Sequence, residues 1–211
     1  MATLEIREPE SIMGASAKTI DLSLEGFLAW EERQELRYER VGGVVRAMAG
    51  GTRAHNKIAI NLLLALGSVV RRRGCELFGS DVKVVSPRGD VMYPDLTVRC
   101  GPRNDRLTTV DDPLLVAEVL SESTLRHDLL LKRLAYKSIP SLRVILYLAQ
   151  DQARVDVVRR GADGRWDDGE PAVGLDAVLA LPELGIDLPL AELYADTDVA
   201  ERGGGPPDEE G

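Results

Sequence analysis

Apolar positions first recur at helical spacing near the N-terminus, where LSLEGFLAWEERQ places Leu24, Phe27, Leu28 and Trp30 on one side of a short amphipathic helix. Ser23, ahead of Glu25 and Gly26, is its candidate cap. The next stretch, RYERVGGVVRAMAG, reads as a hairpin: Tyr38 to Val41, a Gly42-Gly43 turn, then Val44 to Met48. Thr52 is a candidate N-cap for a long helix over Arg53 to Arg73, with an apolar stripe of Ile58, Leu62, Leu63, Leu66, Val69 and Val70, and Gly74 as its stop.

Three strand-like runs follow, Glu76 to Phe78, Asp81 to Ser86 and Tyr93 to Arg99, with a Pro87-Arg88-Gly89-Asp90 turn between the last two. Residues 101–113 read as a polar surface loop. Leu114 to Leu120 is a continuous apolar run broken only by Glu118, the pattern of a strand covered on both faces. A helix is predicted near Leu125 to Ser138, ended by Ile139-Pro140. Arg143 to Ala149 and Arg154 to Arg160 are the last two clear strands, and LPLAELY at 188–194 is a short helix or turn. This order predicts an α/β (α+β) fold: a mixed β-sheet flanked by helices, with an N-terminal helix and β-hairpin. The expected division is a flexible arm over 1–19, one domain over 20–195 and a tail disordered by composition over 196–211.

Composition narrows the functional classes. With 44% hydrophobic and 29% charged residues, the chain is an ordinary globular one. Aromatics are only 4%, so Leu, Val, Ile and Ala must build the core. No run is long and apolar enough to span a bilayer, and the N-terminus lacks the apolar region of a signal peptide. Cys75 and Cys100 show no metal-type spacing and read as two free, buried thiols of a cytoplasmic protein. The net charge of −9 argues against tight non-specific DNA binding by the bare monomer, unless a bound cation reverses the local field. Neither a dinucleotide-binding G-x-G-x-x-G after a strand nor a phosphate-binding G-x-x-x-x-G-K-[ST] is present.

Two carboxylates stand where packing alone would not choose them. Asp is depleted in strands, yet Asp95 follows Pro94 inside YPDLTVRC, sharing one face with Thr97 and Arg99. Glu118 is the one charge in LLVAEVL, and an unpaired buried carboxylate is costly. A metal or a lysine would stabilise it; a place in water at the strand end would also serve. Lys132 lies on the following helix, four residues after Asp128, where an exposed ion pair between the two is the plain alternative.

Together, YPDLTV, LLVAEVLSEST and HDLLLKRLAYKSIPSLRVILYL resemble the Uma-two type family of restriction endonucleases, within the PD-(D/E)XK nuclease superfamily. RYERVGGVVRAMAGGTRAHNKIAINLLLAL looks like that family's opening hairpin and helix, and GLDAVLALPELGIDLPLAELY like its end, so the likeness covers about residues 20–195. It implies a restriction-endonuclease-like fold. It also implies Asp95 and Glu118 as ligands of Mg²⁺, with Mn²⁺ as a substitute, in a nuclease of DNA working as a homodimer. The superfamily's lysine usually stands two residues after the glutamate, where this chain has Leu120; the resemblance assigns that role to Lys132. It further implies Glu39 as a third metal carboxylate, His55 as a site residue, and Ser121 and Asp128 as structural supports. Arg71, Arg72, Arg73, Arg154, Arg159 and Arg160 are candidate phosphate contacts or ordinary solvated charges. Beside the DNA endonuclease stand a non-catalytic module that keeps the nuclease fold for assembly or regulation, and a hydrolase of RNA or another phosphodiester.

Overall fold

The computed structural model describes residues 18–19, 23–48, 50–120 and 126–206. In chain order the elements are β1 (Lys18–Thr19), α1 (Leu24–Glu31), β2 (Tyr38–Val41), β3 (Val44–Ala47), α2 (Arg53–Arg72), β4 (Glu76–Gly79), β5 (Lys83–Val85), β6 (Val91–Met92), β7 (Leu96–Arg99), β8 (Thr109–Val110) and β9 (Pro113–Leu120). They continue with α3 (Arg126–Lys137), β10 (Val144–Ala149), β11 (Arg154–Arg160), β12 (Trp166–Asp168), β13 (Ala172–Val173), β14 (Val178–Leu181), β15 (Ile186–Pro189), α4 (Leu190–Leu193) and α5 (Asp198–Glu201).

The main sheet runs in the order β12-β11-β10-β9-β7-β4, and a second sheet runs β1-β3-β2-β6-β5-β8. Among the described residues one pair in the main sheet is parallel, β9 with β10, because α3 carries the chain back between them. Local chemistry starts the elements where expected. Ser23 accepts a hydrogen bond from the Gly26 amide at 3.1 Å, and Thr52 accepts one from the His55 amide at 3.1 Å. Gly42 and Gly43, with φ of 59° and 79°, supply the left-handed turn that a two-residue hairpin requires.

The main sheet is a filling between two apolar layers. Leu115, Ala117 and Val119 of β9 and Val144, Leu146 and Leu148 of β10 pack with Ile58, Leu62, Leu66 and Val70 of α2. On the other face, Val116 and Ile145 meet Ala135, Tyr136 and Ile139 of the α3 region and Val84 and Met92 of the second sheet. Each fully buried aliphatic side chain contributes about 1.5–3 kcal/mol, so α2 is held by its stripe rather than by propensity. Both faces of β9 are therefore dry, which explains its unbroken apolar run.

Several expectations change. Asp95 does not lie within a strand: the expected Tyr93–Arg99 run narrows to β7, and Asp95 sits in the bend just before it. The expected loop over 101–113 contains β8, which pairs in parallel with β5. Four further strands follow Arg160, of two to four residues each, too short for a periodic signal. Packing continues past residue 195, with Val199 of α5 buried in the α2-side core. The rest of the arm, Ser121, the side chain of Asp128 and residues 207–211 lie outside the described residues.

The two cysteines are not free thiols. Cys75 precedes β4 and Cys100 follows β7, and these strands pair antiparallel with Glu76 opposite Arg99. That register sets the Cα atoms 4.3 Å apart, and the thiols are joined as a disulfide across 25 residues of sequence. The cysteine content therefore no longer supports a reducing compartment.

Candidate active site

Asp95 and Glu118 meet because β7 and β9 are antiparallel neighbours. Leu96 pairs with Ala117, so the residue before one stands beside the residue after the other. Two contacts fix Asp95: Oδ2 accepts the Val119 amide at 2.7 Å, and Oδ1 stands 2.9 Å from His55 Nε2. His55 reaches it from the first turn of α2. Gly51 makes the approach possible, since a Cβ there would stand 2.9 Å from the His55 ring. The hydrogen bond to Asp95 holds the imidazole above its ordinary range, against the opposing effect of burial.

Glu118 projects from the α3 side of the sheet, in register with Tyr147 of β10. Its Oε1 accepts from Lys132 Nζ at 3.0 Å and from the Tyr136 hydroxyl at 2.6 Å. Both donors come from α3, four residues apart and hence on one helical face. Lys132 Nζ also lies 2.8 Å from Oε1 of Glu39 on β2, and that same oxygen accepts the Tyr93 amide at 2.8 Å. Lys132 thus stands between two carboxylates from different sheets. The plain alternative of a solvated lysine fails: its side chain is 17% exposed and doubly paired.

The electrostatics are lopsided. Burial pushes Glu118 up to about 7; Lys132 draws it down, while Glu39 and Asp95 push it up again. Burial also disfavours the Lys132 ammonium, but Glu118 and Glu39 outweigh it and hold the lysine above its usual range. Lys132 therefore keeps its proton at neutral pH. Three carboxylates face one lysine and one histidine, so the cluster is short of positive charge. That shortage suits a divalent cation held by Asp95 and Glu118, the two oxygen donors on adjoining strands. Among the described residues no three of His, Cys, Asp and Glu form a ready metal-binding group. Glu39 is engaged at Oε1 by Lys132 and the Tyr93 amide.

The five expected residues form two contact groups, His55 with Asp95 and Glu39 with Lys132 and Glu118, which the pairing of β7 with β9 and the Asp95–Val119 hydrogen bond bring side by side. The arginines do not join them. Arg154 pairs with Asp156, Arg159 with Glu183, and Arg160 donates to the carbonyls of Ile139 and Pro140 and packs over Trp166. Arg71 lies sixteen residues along α2 from His55, about 24 Å at 1.5 Å per residue. Sequence reasoning missed Tyr136, although its spacing of four from Lys132 was a usable signal. It also missed the buried trio of Glu31, Lys83 and Tyr93, for which the sequence offered none.

The fold, a mixed sheet between helices, is that of a nuclease-like protein. The family model described as "Uma2: Putative restriction endonuclease" matches residues 24–191, and the chain belongs to that family. Two relatives from Synechocystis, the uncharacterized proteins slr1290 and sll1609, are 33% and 30% identical over 72% and 71% of this chain and 80% and 87% of their own. A solved structure described as a putative nuclease belonging to DUF820, from Anabaena variabilis, superposes with a TM-score of 0.69. It covers 82% of this chain and 98% of its own at 18% identity, a likeness of fold. No helix among the described residues is long and apolar enough to cross a membrane.

Proposed function

We propose that this chain is a Mg²⁺-dependent endonuclease that hydrolyses phosphodiester bonds of DNA. The observation that carries the reading is the Lys132 ammonium clamped between Glu39 and Glu118, beside an Asp95 fixed by His55 and the Val119 amide. A divalent cation held by Asp95 and Glu118 would supply Lewis-acid charge at the scissile phosphate and acidify a bound water. The chain's own residues do the positioning. Asp95 is locked at both oxygens, and Tyr136 orients Glu118. Lys132, kept protonated by its two carboxylates, serves as a donor toward the charge that develops on phosphate oxygens, not as a base.

The test is nicking of supercoiled plasmid in Mg²⁺ or Mn²⁺. The wild type should nick, and Asp95→Ala and Lys132→Ala should not; full activity in either variant would remove the assignment. RNA and small phosphodiesters assayed in parallel decide the substrate class.

A non-catalytic module that keeps the fold is the second reading, favoured by the net charge of −9, unusual for a protein that grips DNA. Calorimetry separates the two: Mn²⁺ binding that disappears in Asp95→Ala supports the enzyme, and its absence in the wild type supports the module.

A further inference from the structure

A second buried ion pair is joined to the site through Tyr93, and the nuclease reading does not use it. Lys83 Nζ of β5 stands 2.8 Å from Glu31 Oε2 at the end of α1, with side chains 8% and 5% exposed. Glu31 Oε1 accepts the Tyr93 hydroxyl at 2.8 Å. Burying two charges costs several kcal/mol in desolvation, and well-packed apolar residues commonly replace such pairs without loss. Stability alone therefore gives a poor account of a Lys–Glu pair here, and what the pair holds is informative.

What it holds is Tyr93, which is tied at both ends. Its ring is nearly fully buried, its hydroxyl is anchored on Glu31, and its backbone amide donates to Glu39 Oε1, the oxygen that also grips Lys132. Two residues further along the chain, past Pro94 with its restricted φ, is Asp95. One short segment thus sets both arms of the cluster: the clamp on Lys132 through the amide of residue 93, and the carboxylate of Asp95 through the chain direction after Pro94.

We infer that Glu31, braced by Lys83, is a positioning residue that holds Glu39 and Asp95 in place through the Tyr93 hydroxyl. The chemistry it serves rests on the nuclease reading; the positioning itself does not. A hydroxyl–carboxylate hydrogen bond is rigid in direction, whereas an apolar contact at the same point would let the ring and its peptide slide.

Glu31→Ala would leave the Lys83 ammonium buried without a partner and is expected to unfold, so the experiment uses Tyr93→Phe, which keeps the ring and deletes only the hydroxyl. Amide hydrogen exchange at position 93 should quicken by about tenfold, the worth of one hydrogen bond, with the melting temperature of the rest of the domain nearly unchanged. In plasmid nicking, kcat should fall by about tenfold with little change in KM. The double variant Glu31→Gln with Lys83→Met removes both charges and keeps an acceptor for the tyrosine; it should retain slow exchange and most of kcat. Unchanged exchange at position 93 in Tyr93→Phe overturns the inference, as does an equal loss in the double variant. Where the wild type cleaves no phosphodiester, exchange still decides the positioning, and only the nuclease reading falls.

Discussion

Among the described residues two buried lysines, Lys83 and Lys132, pair with glutamates, and their surroundings are built to opposite rules. Around Lys83 the charges balance: one ammonium, one carboxylate, and a neutral tyrosine on the remaining oxygen. Around Lys132 they do not. One ammonium serves Glu39 and Glu118, with Asp95 close enough to push Glu118 up further. The first arrangement is complete within the chain. The second sets three carboxylates around one ammonium, and on the nuclease reading proposed above a divalent cation would complete its charge balance. The difference teaches that burial alone does not separate the two pairs; an excess of one sign does.

The largest effect should come from breaking the unbalanced cluster. Lys132→Ala and Asp95→Ala should each lower kcat for DNA cleavage by at least about 10²–10³-fold, as removal of one preorganised electrostatic group does elsewhere. Plasmid nicking measures it. Breaking the balanced pair should act on folding instead: Lys83→Ala leaves Glu31 charged and buried, and should cost about 3–5 kcal/mol in urea unfolding. Comparable loss of stability from Lys132→Ala would erase the contrast.

The pH dependence sharpens it. Glu118 is raised from 4.5 to about 7, so the folded state holds its proton more tightly than the unfolded chain. Its contribution is fully present below about 4.5 and is lost as pH rises through 7. In chelator, the wild type should therefore lose stability across that window relative to Glu118→Gln, which cannot ionise. Thermal melts from pH 4 to 8 read the crossover, and Mg²⁺ should narrow the gap at pH 8. A gap that stays constant with pH would show that the carboxylate is already balanced. The smallest effect belongs to Gly51→Ala. A methyl 2.9 Å from the imidazole displaces His55 from Asp95 and should reduce cleavage by about tenfold with little change in stability.

The comparison also shows what was readable beforehand. Glu118 was legible because a charge in LLVAEVL has no packing explanation. The α2 stripe, the Gly42-Gly43 turn and the caps Ser23 and Thr52 were legible because each is a local pattern whose physics acts within one or two turns of chain. Lys132 and Glu39 were legible only through resemblance, since the contact joining them spans β2 and α3. Tyr136 was within reach by spacing. Lys83 and Glu31 were not: one reads as a polar residue in a short strand, the other as the solvated end of a helix.

By itself the sequence determined the three main helices, the opening hairpin and the long strands β9, β10 and β11, and it singled out Glu118 as a charge in an apolar strand. Only the tertiary structure decided the partners. It placed Lys132 rather than a residue of the glutamate's own strand beside Glu118, joined Cys75 to Cys100, and set Tyr93 between Glu31 and Glu39. The physical reason is range. Hydrophobic periodicity and capping act between residues a few positions apart, whereas charge pairing and disulfide bonding depend on distances of a few ångströms that only strand register and layer packing bring about.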